Sequence, residues 1–188
     1  MTVAGLVLAA GAGRRFGGPK ALVELDGERL VDRMVRVLRA GGCQPLVVVA
    51  GAVPLAVSDA TVVDNPDWRT GMGSSLRSGL AALPDQASAA VVVLVDTPWI
   101  GPDAVGRLVQ AHATGAALAV ATYAGVRGHP VLLGRTHWRG AAASAVGDSG
   151  ARTYLASNPN VVEVDCTGTG DPRDVDHPSQ IGGRSRGS

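Results

Sequence analysis

Leu6-Val7-Leu8-Ala9-Ala10-Gly11-Ala12-Gly13-Arg14-Arg15-Phe16-Gly17-Gly18-Pro19-Lys20 is the stretch that decides how this chain folds. Val3 to Ala10 is an unbroken apolar run, the pattern of a strand buried on both faces of a parallel sheet. It empties directly into a loop of glycines and cations. Glycine lets backbone N–H groups close around a bulky anion, and Arg14, Arg15 and Lys20 add full positive charges. A polyphosphate is the guest that suits such a loop.

The chain carries 17 lysines and arginines, and Lys20 is the sole lysine among them. A compact ammonium, where every other fixed cation is a planar guanidinium, points to a site that needs a point charge. Two familiar phosphate loops do not fit. The Walker A pattern needs Ser or Thr after its lysine to hold magnesium, whereas Ala21 follows Lys20. The dinucleotide fingerprint G-x-G-x-x-G/A finds Phe16 in third place, too bulky for close helix–strand packing.

Outward from the loop, strand and helix patterns alternate. Ala21 to Leu25 reads as extended, and Leu30, Val31, Met34, Val35 and Leu38 recur at helical spacing, with Asp32 and Arg36 an i,i+4 pair on the outer face. Strands follow at Pro45–Ala50 and Thr61–Val63, then a helix on Leu76, Leu80 and Leu83 with Ser74 or Ser75 as its N-cap. Ala89 to Val95 is the most apolar segment and reads as a central strand. Beyond it come a helix from Asp103 to His112, a strand from Ala116, a second extended piece to Leu133, an alanine-rich helix and a late strand, Val161–Val164. Such alternation builds βαβ units, hence an α/β fold with a mostly parallel sheet and helices on both faces. The central strand ends in Asp96-Thr97-Pro98. A carboxylate there lies where ligands bind in open α/β sheets, and facing a phosphate loop it is a candidate magnesium ligand.

Composition bounds the rest. A length of 188 residues, 46% hydrophobic and 18% charged, suits one globular domain with a real core. A net charge of +1 and 3% aromatics argue against nucleic acid or an anionic membrane as partner. No apolar run approaches the roughly 20 residues of a membrane span. The arginines follow the first apolar stretch rather than precede it, unlike a secretory leader. Cys43 and Cys166 lack metal-ligand spacing and read as reduced thiols, so a cytoplasmic setting is expected. The domain is expected over residues 1–178, with the polar, glycine-rich 179–188 as an unordered tail.

The chain resembles the MobA/MocA-like molybdenum cofactor nucleotidyltransferases at several places in the right order. Leu8, Ala9, Ala10, Gly11, Arg15, Gly17 and Lys20 fall on the signature L-A-A/G-G-x-x-x-R-x-G-x-x-K. The double alanine, and Asn65-Pro66-Asp67-Trp68 with Gly71-Met72-Gly73-Ser74-Ser75-Leu76-Arg77, look like the cytidylyltransferase branch. Gly128-His129-Pro130-Val131 is similar to a segment that lines the acceptor pocket in that family, and Gly147-Asp148-Ser149-Gly150-Ala151-Arg152 to a turn into a short helix, with Asp148 as its cap and Arg152 a phosphate candidate. Asp174-Val175-Asp176-His177-Pro178 resembles the closing Asp-x-Asp-Thr-Pro element.

The resemblance implies a three-layer, Rossmann-like nucleotidyltransferase fold that moves CMP from CTP to the phosphate of molybdopterin and releases pyrophosphate. It implies a nucleotide site on Leu8, Ala9, Ala10, Gly11, Ala12, Gly13, Arg15, Lys20 and Asp96, with Lys20, Arg15 and Asp96 catalytic. Mg2+ would be held by Asp96 and Asp176, and the phosphorylated pterin acceptor by Ser74, Ser75 and His129. A transient contact with a molybdoenzyme or its maturation factor follows from the same likeness. The chain departs from the pattern at its end: His177 replaces the usual Thr and the acidic closing helix is missing, which puts the placement of Asp176 in question. GTP as donor, another phosphorylated acceptor such as a sugar 1-phosphate or phospholactate, and a non-catalytic nucleotide-binding accessory protein remain as alternatives.

Overall fold

A computed structural model describes residues 1–181. The apolar run becomes β1 (Thr2–Leu8), buried from Val3 onward. A small hairpin follows, β2 (Glu24–Leu25) and β3 (Glu28–Arg29), and then α1 (Leu30–Ala40), β4 (Leu46–Ala50), β5 (Thr61–Asp64) and α2 (Met72–Ala81). The second half holds β6 (Ala87–Leu94), α3 (Pro102–Ala113), β7 (Leu118–Tyr123), β8 (Val126–Gly134), α4 (Trp138–Ser144), α5 (Arg152–Ser157) and β9 (Val162–Asp165).

Seven strands form one sheet in the order β5-β4-β1-β6-β8-β7-β9. Neighbours are parallel except at β8, which runs antiparallel to both β6 and β7. The expected mostly parallel, mixed sheet is therefore present, with β1 and β6 at its centre. Alternate side chains of these strands fill two cores, one against α1 and α3 and the other against α2, α4 and α5. This is the three-layer arrangement. Leu6, Val7, Leu132 and Leu133 are wholly buried, and each such side chain contributes roughly 1.5–3 kcal/mol.

Several local expectations give way to tertiary partners. Ala21 to Leu25 is not continuously extended: a 3-10 turn, Lys20–Leu22, precedes the hairpin. Asp32 and Arg36 do not pair with each other. Asp32 binds Arg29 at 2.6 Å and Arg36 binds Glu28 at 2.8 Å, because β3 lays these partners beside the first turns of α1. Neither Ser74 nor Ser75 caps α2. The helix starts at Met72, and Gly71 occupies the cap position with φ +110°. A Cβ on Gly71 would collide with the backbone of Gly147. The tail expected to be unordered from 179 begins with a 3-10 turn, Pro178–Gln180, and a half-buried Ile181 packed on the core. The rest of that tail, 182–188, lies outside the described residues.

Both cysteines are free and buried, and burial pushes the Cys43 thiol up to about 12. No described helix is long and apolar enough to cross a membrane. The topology fixes the site. β1, β4 and β6 all deliver their carboxyl ends to one edge of the sheet, and antiparallel β8 brings its opening residues, His129 among them, to that same edge.

Candidate active site

The loop leaving β1 is built around Gly13. Its φ is +59°, and its carbonyl accepts hydrogen bonds from the amides of Gly17 (2.9 Å) and Gly18 (3.2 Å). A Cβ at Gly13 would collide with the Gly18 carbonyl, so only glycine lets the loop curl this tightly. The curl delivers Lys20 to the carboxyl end of β6.

There the sole lysine of the chain sits between two acids. Lys20 Nζ donates to Asp96 Oδ2 at 3.0 Å and to Asp176 Oδ1 at 3.2 Å. The lysine side chain is 14% exposed and those of Asp96 and Asp176 are 24% and 39% exposed. Burial opposes the charge on Lys20, but the attraction and hydrogen bonds of Asp96 and Asp176 outweigh it and raise its pKa above the usual lysine value. Asp176 reaches this place because the Val175 amide donates to the Asp96 carbonyl at 2.8 Å and the Val175 side chain is wholly buried. One oxygen of Asp96, Oδ1, is buried and has no hydrogen-bond partner. A buried carboxylate oxygen left bare carries a desolvation cost that a cation would relieve. Among the described residues no group of three or more His, Cys, Asp and Glu gathers in metal-binding fashion. Two carboxylates suffice for magnesium, which fills its remaining positions with water and substrate phosphates. Asp96 and Asp176 therefore fit a hard divalent cation.

Two cavities open on this edge. The first, about 340 Å3, is lined by Leu8, Ala10, Gly11, Ala12, Gly13, Arg14, Lys20 and Asp96 from the β1 and β6 ends, and by Trp68, Arg69, Met72 and Ser75 from the α2 approach. The second, about 420 Å3, has an apolar floor of Leu76, Val92, Val120, Val131 and Leu155, with Arg127, His129, Ser149 and Arg152 around it. They adjoin through Leu8, Met72, Leu94 and Asp148, which line both.

Most of the expected nucleotide residues thus meet in the first cavity. Ala9 is an exception, because its side chain is buried in the core behind the loop. Arg15 is another: it is exposed and lines neither cavity, whereas Arg14 lines the first. The three acceptor candidates do not come together. Ser75 faces the first cavity, His129 the second, and Ser74 neither. The Ser74 hydroxyl accepts from Asn65 Nδ2 at 2.8 Å and lies within 3.0 Å of the Gly71 and Asp67 carbonyls. Asn65 is 2% exposed, also donates to the Ser75 hydroxyl at 3.1 Å, and accepts from the Asp67 amide at 3.0 Å. It ties the end of β5 to the start of α2.

His129 is half-buried, with Nδ1 3.4 Å from the Val92 carbonyl, and burial lowers its pKa below the usual imidazole value. Asp148 does not cap its own helix. Its Oδ1 lies 3.4 Å from the Met72 amide, at the start of α2 and on the border between the cavities. In the sequence Trp68 stands out only as part of a motif, and Arg69 does not stand out. Arg69 stacks over the Trp68 ring at 4.5 Å on the rim of the first cavity. A tryptophan in a loop, in a chain with 3% aromatics, was the signal that could have singled them out.

Comparison with known proteins agrees with this architecture. Residues 5–162 match the MobA-like NTP transferase domain family. The chain is 37% identical over 194 residues to a nicotine blue oxidoreductase of Paenarthrobacter nicotinovorans, covering 95% of this chain and 94% of that one. It superposes on Rv0371c of Mycobacterium tuberculosis H37Rv, in its complex with manganese, with a TM-score of 0.77 at 26% identity, covering 93% and 94% of the two chains. The 2-C-methyl-D-erythritol 4-phosphate cytidylyltransferase of Thermus thermophilus shares the fold, with a TM-score of 0.69 at 20% identity over 96% of each chain. The chain is a member of the MobA-like NTP transferase domain family.

Proposed function

We propose that the protein is a nucleotidyltransferase that moves CMP from CTP to the phosphate of molybdopterin. An oxygen of the acceptor phosphate attacks the α-phosphorus of CTP, the bond from that phosphorus to the α–β bridging oxygen breaks, and pyrophosphate leaves. The observation that carries this reading is Lys20, braced by Asp96 and Asp176 at the mouth of the glycine loop. Held there, the ammonium neutralises charge developing on the leaving phosphates without having to reorganise. The loop amides of Ala10 to Gly13 and the Arg14 guanidinium hold the triphosphate, with Arg15 at the outer edge of the loop. Asp96 and Asp176 would hold magnesium, which when bound supplies charge neutralisation at the phosphate oxygens. A phosphate monoester is a competent nucleophile near neutral pH, so positioning rather than a general base is the protein's task.

The acceptor belongs in the second cavity, which meets the first along Leu8, Met72, Leu94 and Asp148. Arg152 and His129 on its wall suit the phosphorylated end of a pterin. Ala10, small and on the cleft wall, supports CTP as donor in line with the double alanine before Gly11. The free, buried thiols suit a cytoplasmic setting, and handing the product on implies brief contact with a molybdoenzyme or its maturation factor.

A second reading is favoured by one observation. The relative matched along nearly its whole length is called an oxidoreductase, a different reaction class. On that reading the two adjoining cavities hold an electron donor and an electron acceptor. Thermal shift separates the two. CTP with magnesium raising the melting temperature above GTP, ATP and reduced nicotinamide dinucleotides supports the transferase, since only ligands that favour the native state raise its stability. A shift with the dinucleotide alone supports the oxidoreductase, and preference for GTP changes the donor.

A further inference from the structure

Among the described residues the closing segment ends in a 3-10 turn, Pro178–Gln180, and Asp176 stands at 3.2 Å from Lys20. One side chain holds the backbone of this turn together. Gln180 folds back over the 3-10 turn Pro178–Gln180, and its Oε1 accepts the amides of both Asp176 and His177 at 2.7 Å each. Its own amide donates to the His177 carbonyl at 3.0 Å. Ile181, next in the chain, packs against the core and anchors the far end of the turn. On the near side, Val175 is buried and its amide is tied to the Asp96 carbonyl. Asp176 thus lies between a fixed residue before it and a clasp after it, although its own carboxylate is exposed enough to wander.

We infer that Gln180 is a positioning residue: its side-chain carbonyl holds the backbone of Asp176 so that the carboxylate meets Lys20 beside Asp96. A carbonyl oxygen with two lone pairs can accept two amides at once, and glutamine has the reach to do so across one turn. His177, which stands where the resembled element has Thr, gives its backbone amide to the clasp, and its exposed side chain belongs to the same capping box. The link to metal binding rests on the transferase reading above, whereas the clasp itself does not.

The test compares the full-length protein with Gln180→Leu, Gln180→Glu and Asp176→Asn, all checked for unchanged melting temperature. Amide hydrogen exchange in the metal-free protein should be slow at Asp176 and His177, at least tenfold faster in Gln180→Leu, and again slow in Gln180→Glu, whose carboxylate can accept the same two bonds. Binding of Mn2+ in the presence of CTP, read by electron paramagnetic resonance, should weaken about tenfold in Gln180→Leu, the lower range for loss of a partner that orients a ligand, and by a similar factor in Asp176→Asn. Unchanged exchange at both amides in Gln180→Leu overturns the inference. So does Mn2+ binding that falls in Asp176→Asn but not in Gln180→Leu. If Asp176→Asn itself leaves Mn2+ binding intact, the metal role of Asp176 falls and the exchange data alone decide the clasp.

Discussion

Lys20 and Asp176 lie 156 residues apart in the chain and meet at 3.2 Å. The contact joins the loop that follows the first strand to the segment that closes the fold, and Asp96, at the end of the central strand, completes it at 3.0 Å. Two acids around one ammonium leave the group with one net negative charge, a balance that favours a divalent cation joining them. Removing the lysine leaves two carboxylates facing each other. Lys20→Ala should therefore lower turnover by roughly 10²–10³-fold, the scale of losing one preorganised charge at a reacting centre, while circular dichroism shows an intact fold. Steady-state kinetics on purified protein checks this, and retention of turnover would remove Lys20 from the reacting centre.

The same contact sets a pH dependence on the alkaline side. The pKa of Lys20 is raised above its ordinary 10.5 because Asp96 and Asp176 outweigh the cost of burial. Its stabilisation is fully present below the unfolded value and is lost as pH climbs through the folded one. Because the chain has a single lysine, labelling lysine with 13C at Cε gives a single signal to titrate. The midpoint should lie above 10.5 and drop in Asp96→Asn; a midpoint below it would mean that burial wins.

On the acid side His129 is the group to watch. Burial lowers its pKa from the ordinary 6.5, so the unfolded chain takes up the proton first. Stability contributed by the neutral ring is present above 6.5 and falls as pH drops below it. Urea denaturation at stepped pH should show a decline below that point which is shallower in His129→Gln. Identical slopes in the two proteins would count against burial of a neutral ring.

Gly13→Ala tests the loop. The left-handed conformation costs a non-glycine residue about 1 kcal/mol or more, and here the new methyl also meets the Gly18 carbonyl. The strain falls on an exposed loop, so the melting temperature should fall by only a few degrees while CTP affinity, measured by calorimetry, drops more than tenfold. Equal affinity would show that the curl of this loop is not what holds the nucleotide.

Asn65→Ala should be costlier to the fold than its small size suggests. It removes a buried side chain that bonds Ser74, Ser75 and the Asp67 amide, leaving those groups short of partners. A loss of about 2–4 kcal/mol in urea denaturation is expected. A change below about 0.5 kcal/mol would show that the start of α2 reorganises without it.

The sequence disclosed what is contiguous. β1 and its loop announced themselves because apolar run, glycines and cations adjoin in the chain, and Asp96 because a carboxylate ends the most apolar strand. Periodicity located the helices but not their first turns: Met72 starts α2, rather than the residue after Ser74 or Ser75, because the buried Asn65 and the sequence-distant Gly147 settle that end. Which loop arginine faces the cleft depends on a backbone twist at Gly13 that no composition reveals, and Arg14 rather than Arg15 lines it. Asp176 was reachable through a family pattern. Gln180 was not, because its role is a hydrogen bond to a backbone and leaves no trace in spacing.

The central claim is the transfer itself, and the most direct measurement is the product. Incubation of the protein with CTP, magnesium and the phosphorylated pterin, followed by 31P nuclear magnetic resonance, should show pyrophosphate and a new diphosphate linkage appearing together in equal amounts, in wild type and not in Lys20→Ala. Absence of pyrophosphate, with the protein instead oxidising a reduced nicotinamide dinucleotide in the presence of a heterocyclic acceptor, would contradict the account.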